Sequence, residues 1–378
     1  MRGAETTREA EAKRRAEKPG RLKGLEEIVD CDFHLTERQE DFLSYLPEPW
    51  SKVFGRRQGD DYGFLSSLYP SAGLVNPITT GKVQSDAVRS RDDVRRGMEL
   101  IHSDRVVVTP TLNLYLGCVR NEDLAPALAH AYNEWVLDEI LDAEEGIYGG
   151  AVVAPHRPDR AAEEIDDRAN ESAVAGVFLP MGGVFPLAGD EKYYPIYEAA
   201  EAADLPVMFH SASGNMMSAF PSPFRHLTRF LSAHVVAHPM IHMCTMADML
   251  TRGVPVRFPE LKFVVQEAGL GYVPYFMRRF DHEYHSKKED APMLEMEPSE
   301  YVRRNFYFTS QPVEGTGDPT YVQSIVRLMN GESNLLFSSD YPHLDFDYTD
   351  ELMKLLPSFS DEEINNVYGR TALEVFDF

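Results

Sequence analysis

The sequence predicts an α/β protein whose strands close into a (β/α)₈ TIM barrel, and two observations carry that prediction. Short runs rich in Val, Ile and Phe recur eight times, at residues 28–33, 105–110, 148–154, 174–180, 205–210, 261–267, 305–310 and 334–340. Each run has the length and composition of a buried parallel strand. Helical patterns separate most of the runs, as at residues 123–145, 193–204, 227–252, 271–286 and 318–330. Eight such alternations are typical of a closed barrel.

An open, doubly wound sheet would alternate in the same way, but it carries a glycine-rich phosphate loop after its first strand. Here the first strand ends in Asp32-Phe33-His34 instead, which favours the barrel. The long stretch between strands one and two, residues 40–103, contains many Gly, Pro, Tyr and Arg. We interpret it as an insertion over the barrel mouth. We expect a single barrel domain at residues 25–378, preceded by a flexible charged tail at residues 1–24.

The composition narrows the range of partners. The 378 residues carry a net charge of −24, and a surface this acidic repels phosphate backbones, so nucleic acid is not an expected partner. No apolar run is long enough to cross a bilayer, and the N-terminus lacks the apolar stretch of a secretory signal. We therefore expect a cytoplasmic protein without a membrane partner. The three scattered cysteines argue against a disulfide framework or a cysteine zinc site.

Acidic and imidazole side chains stand at the ends of four predicted strands, the ends that face the active site in a barrel. Asp32 and His34 end strand one on the same side, His210 ends strand five, Glu267 ends strand six and Asp340 ends strand eight. Such groups are costly to bury unless they are paired or bind metal. Any one of them alone is compatible with an ordinary hydrogen-bonded core. Together, in register with the strands, they predict a site for Zn²⁺, Mn²⁺ or Fe²⁺.

Motifs around these strand ends resemble a known family. They are IVDCDFHLTE (28–37), YLPEPW (45–50), GVPVRFPELK (253–262), EAGLGYVP (267–274) and SDYPH (339–343). In this order they resemble the amidohydrolase superfamily, in the amidohydrolase-related branch typified by aminocarboxymuconate semialdehyde decarboxylase. The resemblance covers roughly residues 25–378 and implies a metal-dependent hydrolase type of barrel. It also implies that Asp32, His34 and His210 are metal ligands, and that Asp340 contacts the metal or its water and shuttles protons.

The sequence departs from the pattern of that superfamily at two positions. Asp32 stands where the first histidine of an HxH pair is usual, and Glu267 stands where many relatives have a histidine. In addition, no lysine occurs between Lys82 and Lys192, so strand four cannot supply the carboxylated lysine that bridges two ions in dinuclear members. We therefore expect one divalent metal, with Zn²⁺ as the first expectation and Mn²⁺ or Fe²⁺ as alternatives.

Two reactions fit these residues. The first is hydrolysis of an amide, ester, lactone or thioester by a metal-activated water, with Asp340 moving the proton and Glu267 sharing that duty if burial raises its pKa. The alternative is non-oxidative decarboxylation of a small carboxylic acid, for which Arg56 is the candidate cation that grips the carboxylate. His343 and His238 are further candidates for lining the substrate pocket.

A third hypothesis belongs to another class of protein: a catalytically inactive barrel that serves as a binding protein. The retained set of metal-ligand residues argues against it. The expected partner is a small-molecule substrate. The sequence does not give the oligomeric state, although a homodimer is one assembly to consider because barrels of this kind often pair through helices and insertions.

Overall fold

The sheet of the barrel has eight parallel strands whose spatial order equals their sequence order. The structure is a computed structural model that describes residues 22, 24–55, 87–212, 226–314 and 317–378. The strands are β1 Val29–Leu35, β2 Arg105–Pro110, β3 Ile147–Val152, β4 Val174–Pro180, β5 Val207–His210, β6 Phe263–Val265, β7 Phe306–Thr309 and β8 Leu335–Leu336. This order confirms the predicted barrel and excludes the doubly wound sheet, in which the strand order reverses.

Backbone hydrogen bonds join the first strand to the segment that follows the last one. The Cys31 N–H donates to the Phe337 carbonyl at 2.9 Å, and the Asp340 N–H donates to the Asp32 carbonyl at 2.9 Å. These bonds bring the ends of β1 and β8 together. Two of the predicted site residues therefore lie side by side where the barrel closes.

Helices follow most of the strands. They are α1 Gln39–Phe42, α2 Trp50–Gly55, α3 Arg91–Ile101, α4 Leu124–Glu139, α5 Pro158–Arg168, α6 Tyr194–Ala202, α7 Phe230–Thr251, α8 Val254–Arg257, α9 Tyr272–Tyr284, α10 Pro298–Asn305, α11 Pro319–Leu328, α12 Gly331–Asn334, α13 Thr349–Leu355, α14 Asp361–Asn365 and α15 Thr371–Phe376. None of the described helices combines the length and the apolar character needed to cross a membrane. Helix α4 ends earlier than predicted because the Asp142 carboxylate accepts from the Glu144 and Glu145 N–H groups and starts a separate 3₁₀ turn.

Strands β6 and β8 are shorter than the sequence predicts. Glu267 has a φ of 48° and Asp340 a φ of 62°, both in the left-handed region. A residue in that region cannot continue an extended strand. The chain therefore turns at the two positions where the strand-end carboxylates project, and such non-glycine positions are a recurrent feature of functional sites.

The predicted tail and insertion are described only in part. Of residues 1–24, the structure describes Leu22, which is buried, and Gly24. The insertion is described at residues 40–55, which carry α1 and α2, and again from residue 87. Residues 56–86, including Arg56, lie outside the described residues. The division at residue 25 therefore stays a prediction.

Candidate metal centre

The four side chains predicted to bind metal lie together at the C-terminal mouth of the barrel, and all four are fully buried. The Nε2 atom of His34 is 3.3 Å from Asp32 Oδ1 and 3.2 Å from Asp340 Oδ1. It is also 3.2 Å from Nε2 of His210. Donor atoms bound to one ion at about 2.1 Å are separated by about 3 to 3.4 Å, so these spacings fit a single divalent ion.

The tautomer of each imidazole is set by a backbone carbonyl. Nδ1 of His34 lies 3.0 Å from the Pro110 carbonyl, and Nδ1 of His210 lies 2.7 Å from the Ser211 carbonyl. A carbonyl only accepts, so each Nδ1 donates its proton there, and Nε2 is left as the ring atom that faces the site. The two Nε2 atoms lie 3.2 Å apart, a spacing at which both can bind one metal ion.

The carboxylates provide a second indication. Asp32 Oδ2 and Asp340 Oδ2 are buried and accept no hydrogen bond from any residue that the structure describes. Buried oxygens of this kind are rare in native proteins unless an ion or water satisfies them. Burial alone would raise the pKa of Asp32, but His210 and His34 beside it lower that pKa well below its ordinary value. Burial would lower the pKa of His34, but Asp32 and Asp340 raise it. Both shifts mean that the aspartates favour a positive charge beside them.

Two side chains orient Asp32, and neither was assigned a role from the sequence. The Thr109 hydroxyl, at the end of β2, donates to Asp32 Oδ1 at 2.9 Å. The Gln266 amide donates to the same oxygen at 3.3 Å and to the Cys31 carbonyl at 2.9 Å. Thr109 pairs with His34 in the register of β1 and β2, which is a relation between strands that the sequence pattern does not reveal. Such partners fix the direction of a metal-binding carboxylate.

Asp30 connects β1 to the loop that carries Asp340. Its Oδ1 accepts from the Ser339 N–H at 2.9 Å and from the Asp32 N–H at 3.2 Å. Burial raises the pKa of Asp30 to about 7, although its hydrogen bonds to Ser339 oppose that rise. Asp30 thereby ties together the two strand ends that carry predicted ligands.

Glu267 lies beside the four predicted ligands and faces helix α7. Its Oε2 is 3.4 Å from His210 Nε2 and 3.6 Å from His238 Nδ1. Burial raises the pKa of Glu267 well above its ordinary value, and the nearby charges of Asp340 and Asp345 add to that rise. These surroundings favour the protonated form of the carboxyl group.

His343 contacts Asp340 from the solvent side. Its Nδ1 is 2.7 Å from Asp340 Oδ1, and its Nε2 is 3.1 Å from the Thr111 hydroxyl. The His343 ring lies over the His34 ring with the centroids 4.0 Å apart, and a quarter of its side chain is exposed. His343 therefore contacts Asp340 and also lies at the barrel mouth, where it is a candidate for lining the substrate pocket.

His238 lies on α7 at the same mouth, where its Nδ1 is 3.3 Å from the Ser211 hydroxyl as well as near Glu267. His242 is fully buried one turn further along α7, and burial lowers its pKa to about 3. His238 is thus brought to the predicted site, whereas Arg56 lies outside the described residues. The potential metal ligands among the described residues of the site are therefore imidazoles and carboxylates.

A (β/α)₈ barrel with imidazoles and carboxylates at its strand ends is typical of metal-dependent barrel enzymes. The chain belongs to the amidohydrolase family, whose model matches residues 29–378. The predicted family is therefore confirmed, and the protein is an enzyme of the amidohydrolase superfamily.

Solved structures confirm the fold over nearly the whole chain. An amidohydrolase from Mycobacterium avium subsp. paratuberculosis is 20% identical, with a TM-score of 0.71 over 93% of this chain and 99% of that one. The 5-carboxyvanillate decarboxylase of Novosphingobium aromaticivorans, in complex with manganese and 4-hydroxy-3-methoxy-5-nitrobenzoic acid, is 19% identical, with a TM-score of 0.67 over 96% and 98%. A 2,6-dihydroxybenzoate decarboxylase from Rhizobium is 16% identical, with a TM-score of 0.61 over 93% and 99%. No curated protein matches the chain.

Proposed function

We propose that this protein is a metal-dependent decarboxylase that releases CO₂ from a small carboxylic acid without oxidation. The observation that carries the proposal is the buried Glu267, which lies 3.4 Å from His210 and whose raised pKa favours the protonated form beside the predicted metal ligands. Decarboxylation needs an acid that delivers a proton to carbon as CO₂ departs. In hydrolysis Glu267 would only share a proton transfer that Asp340 can perform, whereas decarboxylation needs a separate acid.

The comparisons support decarboxylation over the hydrolysis that was the first expectation from the sequence. Two of the similar structures are decarboxylases of hydroxylated aromatic acids, and one of them contains manganese. Hydroxybenzoates are therefore the first substrates to test. The small-molecule substrate and the cytoplasmic location stay part of the proposal.

Asp32, His34, His210 and Asp340 would hold the ion. A bound divalent ion would act as a Lewis acid on a substrate oxygen and fix the acid in the site. Zn²⁺ stays a prediction, but carboxylate ligands suit Mn²⁺, and manganese is present in a similar structure. We therefore propose Mn²⁺ as the first metal to test.

The side chains of this chain supply the remaining steps. Glu267 donates its proton to the substrate carbon as the bond to the carboxylate breaks, and it is left as a carboxylate. Its neighbour His238, 3.6 Å away, lies where a proton can return to it. Thr109 and Gln266 hold Asp32 in one orientation during the reaction.

One contact favours hydrolysis as a second candidate. His343 Nδ1 lies 2.7 Å from Asp340 Oδ1, and such a pair can accept a proton from water at one end and release it to solvent at the other. The two candidate reactions therefore differ in the residue that must lose or gain the proton.

The test is a panel of hydroxybenzoates and of simple esters and lactones, assayed with Mn²⁺-loaded enzyme for CO₂ release and for hydrolysis. We expect CO₂ release, and we expect Glu267→Gln to lower kcat by about 10²- to 10⁴-fold, the range for loss of a general acid. Glu201→Gln, a matched change on α6 away from the site, should leave kcat unchanged. Hydrolysis without CO₂ release, or full activity of Glu267→Gln, would overturn the proposal.

A further inference from the structure

Helix α7 presents three histidines toward the barrel mouth. His234, His238 and His242 follow one another at intervals of four residues, so they share one face of the helix. About a quarter of the His234 side chain is exposed, whereas His238 and His242 are buried. Paired histidines one turn apart on a helix are a recurrent metal-chelating arrangement.

Glu267 forms a cluster with His234 and His238. One potential ligand atom from each of His234, His238 and Glu267 lies within 4.8 Å of the others. His238 Nδ1 and Glu267 Oε2 are 3.6 Å apart. Asp345 borders the cluster, with its Oδ2 3.0 Å from His234 Nε2. Two imidazoles and one or two carboxylates are a complete donor set for a divalent ion.

The cluster adjoins the predicted metal centre through Glu267. The Glu267 Oε2 atom that faces His238 is also 3.4 Å from Nε2 of His210. One carboxylate therefore stands between two groups of donors. Paired metal ions lie about 3.5–4 Å apart and are commonly bridged by a shared ligand of this kind.

The carboxylates around Glu267 attract cations. Among the described residues, every ion pair of Asp32, Asp340 and Glu267 is made with a histidine. The attraction between these carboxylates and a cation is strong because the groups are shielded from water.

We propose that His234, His238 and Glu267 form a second, weaker divalent-cation site adjacent to the first, with the Glu267 carboxylate shared between them. Strand six would then supply the bridge that strand four, which contains no lysine, cannot supply.

The test is metal stoichiometry in the absence of substrate. The full chain is stripped with chelator, titrated with Mn²⁺ by equilibrium dialysis, and followed by electron paramagnetic resonance. We expect wild type to bind two equivalents and to develop a spin-coupled signal with the second. His234→Ala and His238→Ala should each bind one equivalent without coupling. His282→Ala, which changes an exposed histidine on α9, should still bind two.

A wild-type protein that saturates at one equivalent would overturn the proposal. So would a second equivalent that persists in both α7 variants. Melting curves establish that each variant is folded, and His234 lies at the rim, where its removal disturbs the core least. The proposal rests on the metal centre of the proposed function but not on its reaction, so a failure to release CO₂ leaves the stoichiometry result intact.

Discussion

Replacement of Thr109 by valine tests whether Asp32 is a metal ligand held in place by its neighbours. The Thr109 hydroxyl is fully buried and donates to Asp32 Oδ1 at 2.9 Å. Valine has nearly the same shape and cannot donate. Gln266 still reaches the same oxygen at 3.3 Å, so the substitution removes the shorter of two hydrogen bonds and leaves the longer one.

The expected loss follows from that difference. A hydrogen bond to a charged group contributes about 1.5–3 kcal/mol. Loss of the side chain that orients a ligand commonly costs ~10- to 100-fold in metal affinity. The remaining bond from Gln266 limits how far Asp32 can turn. We therefore expect the Kd for Mn²⁺ at the tight site to rise by about tenfold, near the lower end of that range.

The assay is competition for Mn²⁺ between the stripped protein and a chelator of known affinity. Thr245→Val is the matched control. Thr245 is also buried, but its hydroxyl has no hydrogen-bond partner among the described residues. The same change at that position should leave the Kd where it is in wild type. Thermal melts of the stripped proteins separate loss of metal binding from loss of fold.

An unchanged Kd for a correctly folded Thr109→Val protein would refute the reasoning. It would mean that Asp32 does not contact the ion, or that Gln266 alone fixes its orientation. Gln266→Leu in the same assay distinguishes these outcomes. A loss confined to Gln266→Leu retains Asp32 as a ligand, and no loss in either variant removes it.

Four other perturbations test the site and the fold. Dialysis against chelator should lower Tm and abolish activity, with both restored by Mn²⁺, because an ion bound only by the folded state stabilises it; an unchanged Tm would favour the inactive binding protein. Asp340→Asn should lower kcat by about 10²- to 10⁴-fold, and undiminished turnover would remove Asp340 from the mechanism. The Glu164 carboxylate accepts a hydrogen bond from His130 Nδ1, 2.9 Å away, and raises the pKa of His130, so that pair stabilises the fold below the raised pKa and weakens as pH rises through it; His130→Gln should flatten the dependence of Tm on pH above about 6.5, and identical wild-type and variant profiles would contradict this. Gly117→Ala would press a methyl group against the Gly182 carbonyl and should lower the free energy of unfolding by about 1–3 kcal/mol in urea titrations, whereas wild-type stability would show that the loop yields.

The barrel is predictable from the sequence because each strand is a local apolar run. His210 illustrates this, since it is both the last residue of an apolar run and the last residue of β5. The early ends of β6 and β8 are not predictable in the same way. A left-handed φ at Asp340 agrees with the tolerance of aspartate for that region, but nothing in the residue type announces it at Glu267.

The grouping of Asp32, His34, His210 and Asp340 follows from a rule about strand ends, so their proximity could be predicted. The contribution of Thr109 could not, because a threonine after three valines reads as ordinary strand and its contact depends on the register of two strands. The pairing of His234 with Asp345, 111 residues apart, is likewise a product of the three-dimensional fold. Long-range register and side-chain direction are the information that a single sequence lacks.

Backbone carbonyls orient the two imidazole ligands, His34 and His210, whereas side chains orient the carboxylate ligand Asp32. A substitution at Pro110 or Ser211 alters a side chain but leaves the carbonyl in place. Single substitutions at those two positions therefore leave the orientation of the His34 and His210 rings unchanged. A shift of the barrel backbone would be needed to change it. The carboxylates have no such protection, because side chains orient them. Divergence of chemistry in this scaffold should accordingly proceed through the oxygen ligands while the nitrogen ligands stay fixed.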